Sequence, residues 1–137
     1  YADNWARRMG IAVEVRIQGE RETPLDVEEA IFRVAEEALS NVARHSGARM
    51  VELRLAWEAE WLRLIVRDDG MGFDVARAGG KGLGLTSMRE RMEALNGTLR
   101  ITSGAEGTRV EACVPLPTAA LALLEAGTET AREVGDE

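Results

Sequence analysis

A carboxylate sits where a buried strand face should continue. Leu62, Leu64 and Val66 fall on one side of a period-two alternation, and Asp68 is next in that series. The run then breaks into DDGMGF, Asp68 to Phe73. An acid in phase with apolar residues, followed at once by Gly70 and Gly72, makes poor core and a plausible ligand contact. The rest of the chain is read as building or completing that site.

The preceding and following segments give an ordered set of elements. Residues 1–10 resemble the end of a helix closed by Gly10, and Ile11, Val13, Val15 and Ile17 alternate as a strand. Asp26 and Glu29 stand in capping-box register, predicting a helix that runs to about Ser46 and stops at Gly47. Its apolar stripe is Ile31, Val34, Ala35, Ala38 and Val42. Val51, Leu53, Leu55 and Trp57 form a second strand, joined by a Glu58–Glu60 hairpin turn to the strand that ends at Asp68. After a Gly-containing loop, Leu85, Met88, Met92 and Leu95 mark another helix, with Ser87 and Glu90 as a candidate capping box or a start one turn earlier, and Asn96-Gly97 as its end. Strands at 98–103 and 108–116 follow around a Gly104–Gly107 turn. This order predicts an α+β, two-layer sandwich: a mixed, mainly antiparallel sheet with helices on one face. The expected division is 1–10 as the tail of an upstream linker or helix, 11–117 as one domain, and 118–137 as a frayed tail.

Composition narrows the chemistry. A net charge of −7 argues against a general nucleic-acid or anionic-membrane surface. Cys113 is the one cysteine, so an internal disulfide and a thiolate cluster are both excluded. No apolar run approaches the ~18 residues of a membrane span, so the chain is expected to make no membrane contact. It begins at Tyr1 rather than Met, which suggests a fragment or processed product.

Four patches carry chemistry. Glu37 and Asn41, four residues apart on the long helix, share a side, with Asn41 at the margin of the apolar stripe. An amide oxygen there suits Mg²⁺, although taken alone it reads more readily as an ordinary interfacial amide. Asp68 with Gly70 and Gly72 offers an acceptor for an adenine amino group and a backbone able to approach a flat ring. Gly80-Lys81-Gly82-Leu83-Gly84, running into the helix at Leu85, exposes backbone N–H groups and one cation to phosphate. Gly107-Thr108 opens the last strand, where the threonine hydroxyl could support Asp68 across the sheet.

Taken together and in this order, the patches resemble the nucleotide-binding domain shared by sensor histidine kinases, DNA gyrase, heat-shock chaperones and mismatch-repair ATPases. Glu37-x-x-x-Asn41 looks like the N box, Asp68-x-Gly70-x-Gly72 the G1 box and Gly80-x-Gly82-x-Gly84 the G2 box. EEALSNVARHSGA and GLGLTSMRERMEALNG resemble the sensor kinases that pair with helix-turn-helix response regulators. The resemblance implies a Bergerat-type ATP-binding fold with Asp68 on the adenine amino group, assisted by Thr108 through a water. Asn41 would hold Mg²⁺, and Glu37 would act in catalysis or reach the metal through water. Lys81, Gly82, Leu83, Gly84 and Leu85 would line the phosphate passage, and residues 74–81 would form the ATP lid. His45 would contact phosphate or cap its helix; it is a poor phosphoacceptor, since it ends the N-box helix. The acceptor histidine is therefore expected on a dimerisation domain outside this chain. A cytoplasmic, homodimeric kinase that phosphorylates a response regulator follows from the same resemblance, with membrane anchoring of the whole protein left open. A free-standing serine kinase of the anti-sigma type on the same fold is the alternative.

Overall fold

The computed structural model describes residues 1–72 and 84–116, without the side chains of His45 and Ser46. The expected lid at 74–81 and the expected tail at 118–137 lie outside the described residues.

Five strands form one sheet: β1 (Ala12–Gln18), β2 (Met50–Trp57), β3 (Trp61–Asp68), β4 (Thr98–Gly104) and β5 (Gly107–Pro115), in the order β1-β2-β3-β5-β4. β1 runs parallel to β2 and every other pair is antiparallel. A parallel neighbour requires a long crossover, and α2 (Leu25–Asn41) supplies it. α1 (Ala2–Met9) precedes β1, and α3 (Leu85–Glu93) lies between β3 and β4 in sequence. Alternation puts Val51, Leu62, Leu64, Val66, Val110, Ala112 and Val114 on the face that receives the helices. Against them pack Ile31, Val34, Ala38, Leu39 and Val42 from the α2 region, Met88 and Met92 from α3, and Trp5 from α1. Burying each such side chain is worth roughly 1.5–3 kcal/mol. The expected mixed sheet with helices on one face is therefore the observed architecture.

The helix ends depart from their sequence signals. Pro24, not Asp26, stands at the N-cap of α2; the Asp26 carboxylate instead accepts a bond from the adjacent Val27 N–H at 2.9 Å. Proline has no N–H to satisfy and its fixed φ suits a helix entrance, so it competes well there. Gly84, in the left-handed region at φ 64°, takes the N-cap of α3, leaving Ser87 inside the helix. α-helical geometry ends at Asn41, one turn before the expected stop. Val42–Ser46 form a π-helical turn, closed as expected by Gly47 at φ 65°. α1 closes on Gly10 through its N–H to the Ala6 carbonyl at 2.9 Å. Among the described residues no helix is long and apolar enough to cross a membrane.

Candidate functional site

Among the described residues, the buried polar or charged side chains are Asn41, Asp68 and Thr108, at 8%, 6% and 8% exposure. A folded core tolerates such groups only when they are partnered, and these three fall in the patches singled out from sequence.

Asp68 ends β3 on its buried face, beside Val51 of β2. The register that sets Arg67 against Arg109 places Thr108 next to it on β5. Its Oδ1 accepts the Gly70 N–H at 2.8 Å, and the Thr108 backbone N–H donates to the same carboxyl. Burial pushes this carboxyl above its ordinary value, the two N–H groups pull it back, and the Asp69 charge adds to the rise. A carboxylate offers about four lone-pair positions, so two backbone donors leave acceptor capacity for a ligand's N–H. The Thr108 hydroxyl is engaged elsewhere, 2.7 Å from Ser103 Oγ. Thr108 thus acts on Asp68 through its main chain, while its side chain ties β5 to β4.

The adjoining acid has a different task. Asp69 Oδ1 accepts the N–H groups of Arg49 at 2.9 Å and Met50 at 3.1 Å, fixing the start of β2 against the end of β3. These bonds hold its carboxyl below the usual range. Gly72, at φ 71°, lies so close to the β4–β5 turn that a Cβ would overlap the Gly104 carbonyl oxygen. Only glycine fits that approach. A cleft of about 540 Å³ opens beside this turn, lined by Asp68 and Thr108 together with Arg67, Thr102 and Arg109 of the opposite sheet face; Glu37 and Asn41 are not in that lining. It reaches the Asp68–Thr108 end of the site and leaves the Glu37–Asn41 cluster outside its lining.

The second cluster stands at the end of α2. Arg44, carried by the π-helical turn, places Nη2 3.6 Å from Glu37 Oε1 and 3.5 Å from Asn41 Oδ1. Its Nε lies 3.4 Å from the Ser40 carbonyl. These are long contacts, electrostatic more than tightly hydrogen-bonded. They show a carboxylate and an amide oxygen already oriented toward one positive group. That donor set fits Mg²⁺, a hard cation bound through one or two oxygens while keeping its waters. Gly84 backs onto the same carboxylate: at φ 64° it lies where a Cβ would overlap the end of the Glu37 side chain. The start of α3 is thereby held against the Glu37–Asn41 face.

The structure therefore brings Asp68, Gly70 and Thr108 into one bonded cluster, and Glu37, Asn41 and Gly84 into another. Leu85 is buried in the core, where it anchors the first turn of α3. Lys81, Gly82, Leu83 and the His45 side chain lie outside the described residues. Sequence reasoning missed Arg44, although a cation three residues after Asn41 and seven after Glu37 lies on their helix side. Asp69 carries its own signal, an acid out of phase with the buried face, and the structure sets it against the β2 entrance.

Residues 26–118 match the family described as histidine kinase-, DNA gyrase B-, and HSP90-like ATPase. The chain is 37% identical over 116 residues to the sensor histidine kinase MctS of Rhizobium johnstonii, covering 82% of this chain and 25% of that protein. It is 36% identical over 115 residues to the sensor histidine kinase LiaS of Bacillus subtilis, covering 83% of this chain and 32% of that one. It thus spans about a quarter to a third of the length of these curated relatives. Among solved structures, the histidine kinase domain of the Erythrobacter litoralis EL346 blue-light activated histidine kinase superposes with a TM-score of 0.68 at 27% identity. That match covers 84% of this chain and 57% of the solved one.

Proposed function

Because the chain belongs to the family of histidine kinase-, DNA gyrase B-, and HSP90-like ATPases, we propose that it is the ATP-binding catalytic domain of a two-component sensor histidine kinase. It would donate the ATP γ-phosphoryl group to a histidine on a dimerisation domain of the same kinase, from which a response regulator is charged. The observation that carries this reading is Asp68: a buried carboxylate fixed by two backbone donors, with acceptor capacity to spare. Adenine presents an amino donor of the matching kind.

Asp68 would read the adenine edge, and the Gly70 and Thr108 N–H groups would keep its carboxylate aimed. Asn41 would hold Mg²⁺ directly and Glu37 through a water; the metal supplies neutralisation of phosphate charge when bound. Arg44, beside both, would exchange its long contacts for phosphate oxygens. Lys81, Gly82 and Leu83 with Gly84 would line the phosphate path, and His45 would contact it or cap its helix. In the transfer the bond from γ-phosphorus to the bridging oxygen breaks, ADP leaves, and a bond to an unprotonated imidazole nitrogen of the acceptor forms. The chain's work is positioning and electrostatics, as in other phosphoryl transfers. Residues 11–117 would form the catalytic unit, in a cytoplasmic part of a homodimeric kinase. The relatives give no support to the free-standing serine-kinase alternative.

The test is transfer in trans. Incubated with labelled ATP, Mg²⁺ and the histidine-bearing dimerisation domain of the parent kinase, the chain should label that domain at its histidine in an acid-labile linkage. Labelling of serine instead, or none with nucleotide bound, overturns the proposal.

A further inference from the structure

The sheet has two edges, and β1 forms one of them, with β2 as its only strand neighbour among the described residues. Its seven residues hold an unbroken register against Met50–Ala56, so no bulge interrupts the outer side, and the strand has no proline. Bulges and prolines are two of the devices that commonly protect an edge from pairing. α1 buries Trp5 in the core, yet Val15 stays 43% exposed and Ile17 64%, with Arg16 and Gln18 exposed beside them. Ala12 gives its N–H to the Arg49 carbonyl, on the β2 side, at 3.0 Å. Main-chain groups alternate in direction along a strand, so Val13, Val15 and Ile17 turn theirs outward.

Charge selects what fits that edge. The parallel pairing sets Glu14 beside Glu52 and Arg16 beside Arg54, like charges abreast, which is a destabilising arrangement. Outward from Val15 the strand is symmetric in kind, with Glu14 and Arg16 on either side and then apolar Val13 and Ile17. An antiparallel copy centred on Val15 therefore sets Glu14 opposite the copy's Arg16, and two-fold symmetry makes that contact twice. Val15 meets its own counterpart and Val13 meets Ile17. These are the residues with outward main-chain groups, so they form the hydrogen-bonded pairs, and the charged pairs take the closer, non-hydrogen-bonded places. Centring on Glu14 or Arg16 opposes like charges, and a shift to Val13 or Ile17 loses the match between Glu14 and Arg16. β4, the other edge, has Arg100 as its one charged residue and offers no such self-match. We propose that β1 is a self-association edge: two copies of this chain join through antiparallel β1 strands about a two-fold axis at Val15. The product is one continuous sheet with both helix layers on the same side, since directly opposed residues share a face. The contact is independent of the nucleotide site.

The test is sedimentation equilibrium of the full 137-residue chain across a concentration series. It should pass from monomer to dimer as the concentration rises toward ~1 mM. Glu14→Arg and Arg16→Glu should each weaken association about tenfold, because each sets like charges opposite one another at two places. The exchange Glu14→Arg/Arg16→Glu should restore association to within about threefold of the original. In that variant each charge also stands beside an unlike one on β2, so its melting temperature should not fall. Val15→Pro removes an outward N–H that the chain's own sheet does not use, and should abolish the dimer. A chain that stays monomeric throughout the series overturns the proposal, whether its edge is open or covered by other residues of the same chain. So does association that survives Val15→Pro, or that the folded exchange variant fails to regain.

Discussion

Gly84→Ala tests whether the start of α3 is locked onto the Glu37 face. Gly84 holds φ 64°, and a Cβ there would overlap the Glu37 side chain. Alanine in the left-handed region costs roughly 1–2 kcal/mol. The overlap adds less, because the Glu37 side chain is 37% exposed and can swing outward. The expected loss is therefore about 1–2 kcal/mol, a melting temperature lower by roughly 5–10 °C for a domain of this size. The swing also moves the carboxylate away from Asn41 and Arg44, so Mg²⁺-dependent ATP affinity should fall along with stability. Thermal unfolding followed by circular dichroism reads the first effect and calorimetry the second. Combining Gly84→Ala with Glu37→Ala removes the overlap but leaves the backbone strain. The double variant should keep most of the stability loss and show no further fall in affinity beyond Glu37→Ala alone. Gly84→Ala with unchanged melting temperature, or additive affinity losses, would refute the lock.

Leu39→Ala, at a fully buried position of α2, should destabilise the fold by about 2–5 kcal/mol in urea titration; a loss under 1 kcal/mol would contradict the packing described. Arg44→Ala should barely change stability, since its side chain is half exposed, yet weaken ATP by about 5- to 10-fold while sparing adenosine. Equal losses for both ligands would remove Arg44 from the phosphate side. Asp68 should make adenosine binding pH-dependent. Burial raises its carboxyl above the ordinary 3.8, so its contribution to stability is complete below that value and is lost as pH rises through the folded one. Falling pH therefore protonates the acceptor before the fold suffers, and adenosine affinity should drop over that window. A flat profile down to pH 4 would contradict this assignment.

How far the sequence reached depended on the kind of signal. Strand faces were legible because alternation is set by backbone geometry, and Val51 through Trp57 and Leu62 through Asp68 emerge in the expected phase. The same regularity made Asp68 conspicuous. Helix ends were harder, because several residues can satisfy one terminus. Asp26 and Ser87 both had the right neighbours for caps, but Pro24 and Gly84 took those places. The π-helical turn after Asn41 has no composition signature, so Arg44 went unnoticed until the turn set it beside Glu37 and Asn41. Thr108 was found for its place next to Asp68; that its hydroxyl pairs with Ser103 depends on the β4–β5 register, a long-range property.

The most direct measurement is calorimetric titration of the chain with ADP and Mg²⁺, beside Asp68→Asn shown by circular dichroism to be folded. Loss of a charged, buried acceptor for the adenine amino group should weaken binding by about 10- to 100-fold, the worth of one charge-assisted hydrogen bond. Equal affinities in the two proteins would mean that Asp68 does not read the nucleotide.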